Sequence, residues 1–247
     1  MNPPPFFALI VPLANEADTL FPLAERIRDV LDTTALEGRV FWVVDTASQD
    51  DTRACAEEFS ATEKRFKTLW APQNRHLCDA YRYGLRVAYR QGARYLIEMD
   101  GGGSHDPAVI PQFLEALRRH DCAWGSRFVA GGRMEGSLSR RLLSRGASWL
   151  TNRMLGTRLR DMTSGFQGFR RAPVRAWLDY EPLSSMHFYQ TEMRYQLRHF
   201  SAAEVPIHYR PTSKGVPMAS LQNAAKGLWT LYRQKSTVIT RLQKPFR

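Results

Sequence analysis

Two carboxylates in this sequence stand where a ligand would meet them. Asp45 ends the apolar run Val40 to Asp45 (VFWVVD), and Asp100 follows the apolar run Tyr95 to Met99 (YLIEM). A third run, Phe6 to Pro12 (FFALIVP), leads shortly into Asn15 and Glu16. Short apolar runs of this kind read as buried strands. A carboxylate placed just beyond a strand can accept hydrogen bonds from a nucleobase or share a divalent cation with a phosphate. Further on the chemistry changes sign. Arg127 follows another short apolar run, and Arg140 and Ser144 lie four residues apart, on one face of a helix, so that both can touch one phosphate. A guanidinium fork matches phosphate oxygens.

Other chemistries lack their motifs. No G-x-G-x-x-G follows the first strand, no G-x-x-x-x-G-K-[ST] occurs, and no G-x-S-x-G elbow is present. The three cysteines, Cys55, Cys78 and Cys122, have neither zinc spacing nor a disulfide framework, which favours a reducing compartment.

The elements that must hold these residues alternate. Helical patterns over Asp18 to Leu31, from Ser48 or Asp50 to about Phe59, and over Leu77 to Arg90 separate strands at Phe6 to Pro12, Val40 to Asp45, Phe66 to Ala71 and Tyr95 to Met99. Pro107 opens a further helix, and Ala123 to Ser126 reads as a fifth strand. This order predicts an α/β fold with a mostly parallel, doubly wound sheet, which binds ligands beyond the carboxyl ends of its strands. After Gly131-Gly132 the pattern gives a helix over Ser139 to Leu155, a strand over Phe166 to Arg170, a helix over Phe188 to Phe200 and a strand over Val205 to Tyr209. From about Leu221 a basic amphipathic helix closes the chain, with Trp229, Tyr232 and Phe246 interleaved among its basic residues.

The 247 residues carry a net charge of +11, unevenly spread. From Arg118 to Arg175 thirteen arginines face three acids, and from Arg194 to Arg247 ten Lys or Arg face one. The C-terminal half therefore expects an anionic partner, and an anionic membrane surface fits a basic tail with aromatics. Nucleic acid is not expected, because no nucleic-acid module is recognisable. The N-terminus has no signal-peptide pattern, and no stretch reaches the about 18 apolar residues of a membrane span. The expected location is cytoplasmic and peripheral, on the cytoplasmic face of a membrane.

Six segments resemble those of family 2 glycosyltransferases, in particular the dolichol-phosphate mannosyltransferases and other polyprenyl-phosphate glycosyltransferases. They are IVPLANE (Ile10 to Glu16), VVDTASQDDT (Val43 to Thr52), MDGGGSHDP (Met99 to Pro107), GSRFVAGG (Gly125 to Gly132), DMTSGFQGFRR (Asp161 to Arg171) and EVPIHYR (Glu204 to Arg210). Their order and spacing match the family from residue 10 to about 214. The resemblance implies a GT-A fold at residues 1–216, with a nucleotide-sugar half at 1–130, an acceptor half at 131–216 and the basic tail at 217–247. It implies hexosyl transfer, with inversion, from a nucleotide sugar to a polyprenyl phosphate. Two rivals are a family 2 transferase acting on a hydroxyl, and a degenerate member that binds a nucleotide or lipid phosphate without catalysis.

By the same resemblance Pro12, Leu13, Asn15, Glu16, Asp45 and Asp100 contact the donor, with Arg210 and Lys214 on its phosphates. Arg127, Arg140 and Ser144 bind the acceptor phosphate, and Asp161 and Glu192 match acids near the acceptor. Asp100 is the catalytic acid and the first acid of the family's metal-binding D-x-D. The second acid is Gly102 here, and a lone carboxylate is a poor site for Mg²⁺ or Mn²⁺. Weak metal dependence, or none, is the expectation.

Overall fold

The structure is a computed structural model describing residues 5–211 and 218–234. In chain order its elements are β1 (Phe6–Leu13), α1 (Ala17–Thr33), β2 (Glu37–Val44), α2 (Thr52–Thr62), β3 (Phe66–Trp70), α3 (Leu77–Arg90) and β4 (Tyr95–Glu98). A 3-10 turn at Pro107–Val109 then runs into α4 (Ile110–Arg119), followed by β5 (Cys122–Ser126), β6 (Arg133–Met134), α5 (Leu138–Leu155), β7 (Gln167–Arg170) and α6 (Arg171–Leu178). The remainder is α7 (Tyr189–Gln196), β8 (Ala202–Pro206), β9 (His208–Tyr209) and α8 (Met218–Arg233).

Seven strands form one sheet in the order β3-β2-β1-β4-β7-β5-β8. Its neighbours are parallel except β7, which runs antiparallel to both β4 and β5. The period-2 alternation of β1 divides its side chains between two cores. Phe7, Leu9, Val11 and Leu13 join one, with Leu20, Leu23 and Ile27 of α1 and Phe113 of α4. Phe6, Ala8 and Ile10 join the other, with Tyr81 and Leu85 of α3 and Tyr189 of α7. Burial on both faces is why these strands read as unbroken apolar runs. The chain reverses its direction of winding between β1 and β4, and this is the switch point beyond which such sheets bind their ligands.

Several local expectations change. Neither Ser48 nor Asp50 is the N-cap of α2; that residue is Asp51, which makes no side-chain cap. Asp50 lies one position earlier and accepts from the backbone N–H and hydroxyl of Thr52. The single strand expected over Val205 to Tyr209 is two. β8 pairs with β5, the chain bends after Pro206, and β9 pairs instead with β6 in a separate ribbon. Helix α7 ends at Gln196, short of Phe200, and all eight of its residues are buried, so it lacks a polar face to mark its period.

Candidate active site

The C-terminal ends of β2, β1 and β4 lie side by side, since Leu13 pairs with Val44 and Ile10 with Glu98. This brings Asn15, Glu16, Asp45 and Asp100 to one edge of the sheet. Asn15 takes the left-handed backbone conformation (φ 58°) at the turn into α1. Its N–H donates to Ser48 Oγ (3.0 Å) and its Oδ1 accepts from Gln49 N (2.9 Å), which ties the loop after β1 to the loop after β2. Asp45 is buried, and its Oδ1 accepts from Ala47 N at 2.9 Å, bracing the turn after β2. Glu16 is the N-cap residue of α1; its Oε2 accepts from the Thr19 hydroxyl at 2.6 Å. Leu13 turns its side chain into the core, so only its backbone could meet a ligand, whereas Pro12 is half-buried beside it.

Asp100 sits at the point where winding reverses. Its Oδ1 accepts from Tyr81 Oη (3.0 Å) and its Oδ2 from Ser104 Oγ (3.2 Å). Its N–H donates to His105 Nδ1 at 3.2 Å. The His105 ring is buried and stacks on Phe166, with centroids 4.8 Å apart. Burial holds this imidazole below its ordinary value, so it is neutral near pH 7 and positions Asp100 without pairing with it as a cation. The glycines of the loop have separate reasons. A Cβ at Gly101 would lie 2.6 Å from the Pro12 carbonyl oxygen, and Gly103 needs positive φ (75°). A Cβ at Gly165 would come within 3.2 Å of Asp100 Oδ1, so the Thr163-Ser164-Gly165 turn lies directly against the acid.

Across from these acids Arg127 is buried and paired with Asp161. Nε donates to Oδ2 at 2.7 Å and Nη2 to Oδ1 at 2.8 Å, and Nη2 also donates to Thr163 Oγ1. Burial alone would raise the Asp161 carboxyl, but the hydrogen bonds and charge of Arg127 together outweigh it and the net shift is downward. Arg140 and Ser144 are both half-buried on α5. Arg140 Nη2 lies 3.4 Å from Tyr209 Oη. Tyr209 joins the two sides of the site: Arg127 stands 5.3 Å from its ring centroid and the His105 ring 5.9 Å from it. Arg210 is largely exposed, and its Nε lies 3.5 Å from Glu135 Oε1. Lys214 lies outside the described residues, as does Phe246.

Asp161 is thus the partner of Arg127. Glu192 is spent on structure too, accepting from Tyr180 Oη and from the N–H groups of Leu183 and Ser184. Sequence reading missed Tyr81, Tyr209 and Thr163 as site residues. Thr163 and Tyr209 fall inside the quoted segments and could have been found there; Tyr81 lies in a helix with no motif.

The residues present do not form a cage for a divalent cation. Both oxygens of Asp100 already have protein donors, and no three potential ligands of the His, Cys, Asp and Glu types gather among the described residues. Where a second acid would stand, a Cβ at Gly102 would meet Glu16 Oε1 at 2.9 Å.

The doubly wound sheet, with acids at its switch point and arginines across from them, is of GT-A type. The chain belongs to glycosyl transferase family 2, whose model matches residues 8–178, and it is a glycosyltransferase. It is 33% identical over 204 residues to the undecaprenyl-phosphate mannosyltransferase of Micrococcus luteus, covering 81% of this chain and 82% of that one. It is 30% identical over 227 residues to the polyprenol monophosphomannose synthase of Mycolicibacterium smegmatis, covering 90% and 83%. Among solved structures it resembles glucosyl-3-phosphoglycerate synthase of Mycobacterium tuberculosis in complex with Mn²⁺, UDP and phosphoglyceric acid. There the TM-score is 0.64 at 15% identity, over 98% of this chain and 80% of that one, a likeness of fold.

Proposed function

We propose that the chain transfers a hexosyl group, mannose by the names of its relatives, from a nucleotide sugar to a polyprenyl phosphate. The observation that carries this reading is the division of the site about Asp100. Strand-end acids lie on one side, and the Arg127–Tyr209–Arg140 cluster lies on the other. The nucleoside lies across Glu16 and Asp45, and the sugar comes to Asp100. The acceptor phosphate sits against Arg140 and Ser144, with Arg127 behind them. A phosphate oxygen attacks the anomeric carbon, the bond to the donor diphosphate breaks with its electron pair, and the configuration inverts. Arg210 and Lys214 meet the charge on the departing diphosphate.

No general base is needed, because a phosphate monoester is already anionic at neutral pH, with its second pKa near about 6. That agrees with the carboxylates near the acceptor, since Asp161 and Glu192 are both engaged in internal hydrogen bonds. A hydroxyl acceptor would require one of them to be available.

No described helix is long and apolar enough to cross a membrane. We place the enzyme peripherally, on the cytoplasmic face of an anionic membrane that holds its acceptor. Mn²⁺ or Mg²⁺ is expected to matter little, because the protein itself offers too few ligands. The test is to incubate the purified protein with a panel of nucleotide sugars and a short polyprenyl phosphate, with and without chelator, and to look for a lipid-linked sugar. Product that persists in chelator is expected. Loss of all product at trace chelator, restored by stoichiometric Mn²⁺, would reveal missed ligands. Donor binding without product from any sugar would make the chain a binding protein.

A further inference from the structure

Helix α5 is inside out. The residues it buries are Ser148, Thr151 and Leu155, two of them polar, and Ser148 Oγ accepts from Met162 N. Its large apolar side chains point to water: Leu138 (67% exposed), Leu142, Leu143, Trp149 (67%) and Leu150. Spacings of four and seven residues put Leu138, Leu142 and Trp149 in one row, and Leu143 and Leu150 in the next. The two rows stand about 110° apart around the helix, with Ser139, Gly146 and Arg153 between them, and both are turned away from the buried residues. A helix folded only against its own body in water would show the reverse pattern.

Charge decides what covers this face. Helix α5 carries Arg140, Arg141, Arg145 and Arg153 and no acid. Two copies meeting through this face would bring two basic helices together with no acid on either to offset their charge. An anionic bilayer offers the complement, since apolar residues enter the boundary between headgroups and chains while arginines meet lipid phosphates. The neighbouring helix repeats the pattern. Helix α8 packs on α5 through Leu228 and Leu231, leaves Trp229 and Tyr232 exposed, and also lacks an acid.

We infer that the outward face of α5 is a docking surface for an anionic lipid bilayer, with α8 at its side. This rests on the proposed use of a membrane-held acceptor. It adds that the helix bearing Arg140 and Ser144 is the one that lies on the bilayer, so the phosphate of a lipid enters the site from the surface that holds its chain.

The experiment is vesicle flotation of the full chain with mixed phosphatidylcholine–phosphatidylglycerol vesicles, beside the double variant Leu142→Glu, Leu150→Glu. Both side chains point to water, so the thermal midpoint should not move; Leu142→Ser with Leu150→Ser serves if the charged pair misfolds. The expected result is salt-sensitive flotation of the wild type, at least about tenfold weaker in the variant. Transfer to a water-soluble short-chain acceptor should be unchanged. Equal flotation of variant and wild type, or none by the wild type, overturns the inference. So does a wild-type dimer in vesicle-free buffer that the variant abolishes, which would make a second copy the occupant. Flotation that depends on Leu142 and Leu150, without transfer to any acceptor, upholds the docking surface and refutes the proposed function instead.

Discussion

At the scale of single residues, the site rests on two acids held in different ways. Asp100 is partly open and aimed by Tyr81, Ser104 and His105. Asp100→Asn keeps the shape and removes the charge, so transfer should be abolished while the thermal midpoint stays near wild type; unchanged turnover would show that the site is wrongly placed. Asp161 is closed and matched to Arg127. The two arginines expected at the acceptor should therefore behave differently. Arg140→Ala should weaken acceptor use by roughly ten- to a hundredfold, from the loss of a charge-assisted phosphate contact worth about 1.5–3 kcal/mol, and leave donor binding intact. Arg127→Ala should in addition destabilise the fold by about 3–5 kcal/mol, because it strands Asp161 as a buried carboxylate without its partner. Urea melts of the two variants, run beside acceptor titrations, separate the cases. A loss of donor binding instead would mean that the two halves of the site are reversed.

At the scale of elements, the glycine loop after β4 makes a contrast. Gly101→Ala drives a Cβ against the Pro12 carbonyl oxygen, which is backbone and cannot turn aside, and should cost about 1–3 kcal/mol. Gly102→Asp meets only the end of the Glu16 side chain, which can swing, so it should fold normally. Equal melting of both variants would refute this reading of the loop. The sequence made much of this legible. The boundaries of α3 match the expectation at both ends, because its apolar period runs uninterrupted to Gly92. Asp45 and Asp100 were found because an apolar strand ends directly before each. The two-residue β6 gave no signal, since two residues show no period. Helix α6 was hidden by brevity and by Pro173 in its first turn. The pairing of Arg127 with Asp161 was beyond sequence, because the partners are 34 residues apart and only the packing of α5 and the turn before β7 brings them together. The outward apolar face of α5 was overlooked for another reason: a helical period tells which residues share a face, and does not tell whether that face is turned in or out.

At the scale of the whole molecule, the sheet encloses one acid that should govern stability against pH. Glu98 is fully buried at the centre of the sheet. Burial pushes its carboxyl up to about 8, although Gln167 Nε2 (2.6 Å) and Tyr189 Oη (3.1 Å) donate to its Oε2 and Arg194 lies nearby. In the unfolded chain the same group titrates near its ordinary 4.5. Between those values the folded protein holds a proton that the unfolded chain has released, so stability must fall as pH rises through the window and level off above about 8. The slope from this one group can reach about 1.4 kcal/mol per pH unit. Other buried groups titrate in the same range. Burial lowers the His105 imidazole, which tilts stability the opposite way, and raises the Glu192 carboxyl, which tilts it the same way. The comparison with Glu98→Gln cancels both, since neither is touched. Glutamine keeps the volume and can still accept from Tyr189 and Gln167, but it never ionises. The variant should match the wild type only below about pH 4.5 and exceed it progressively towards pH 8, read from urea midpoints at a fixed slope. Parallel curves for the two proteins would mean that Glu98 is already ionised at neutral pH, held as a carboxylate by Arg194 across Gln167.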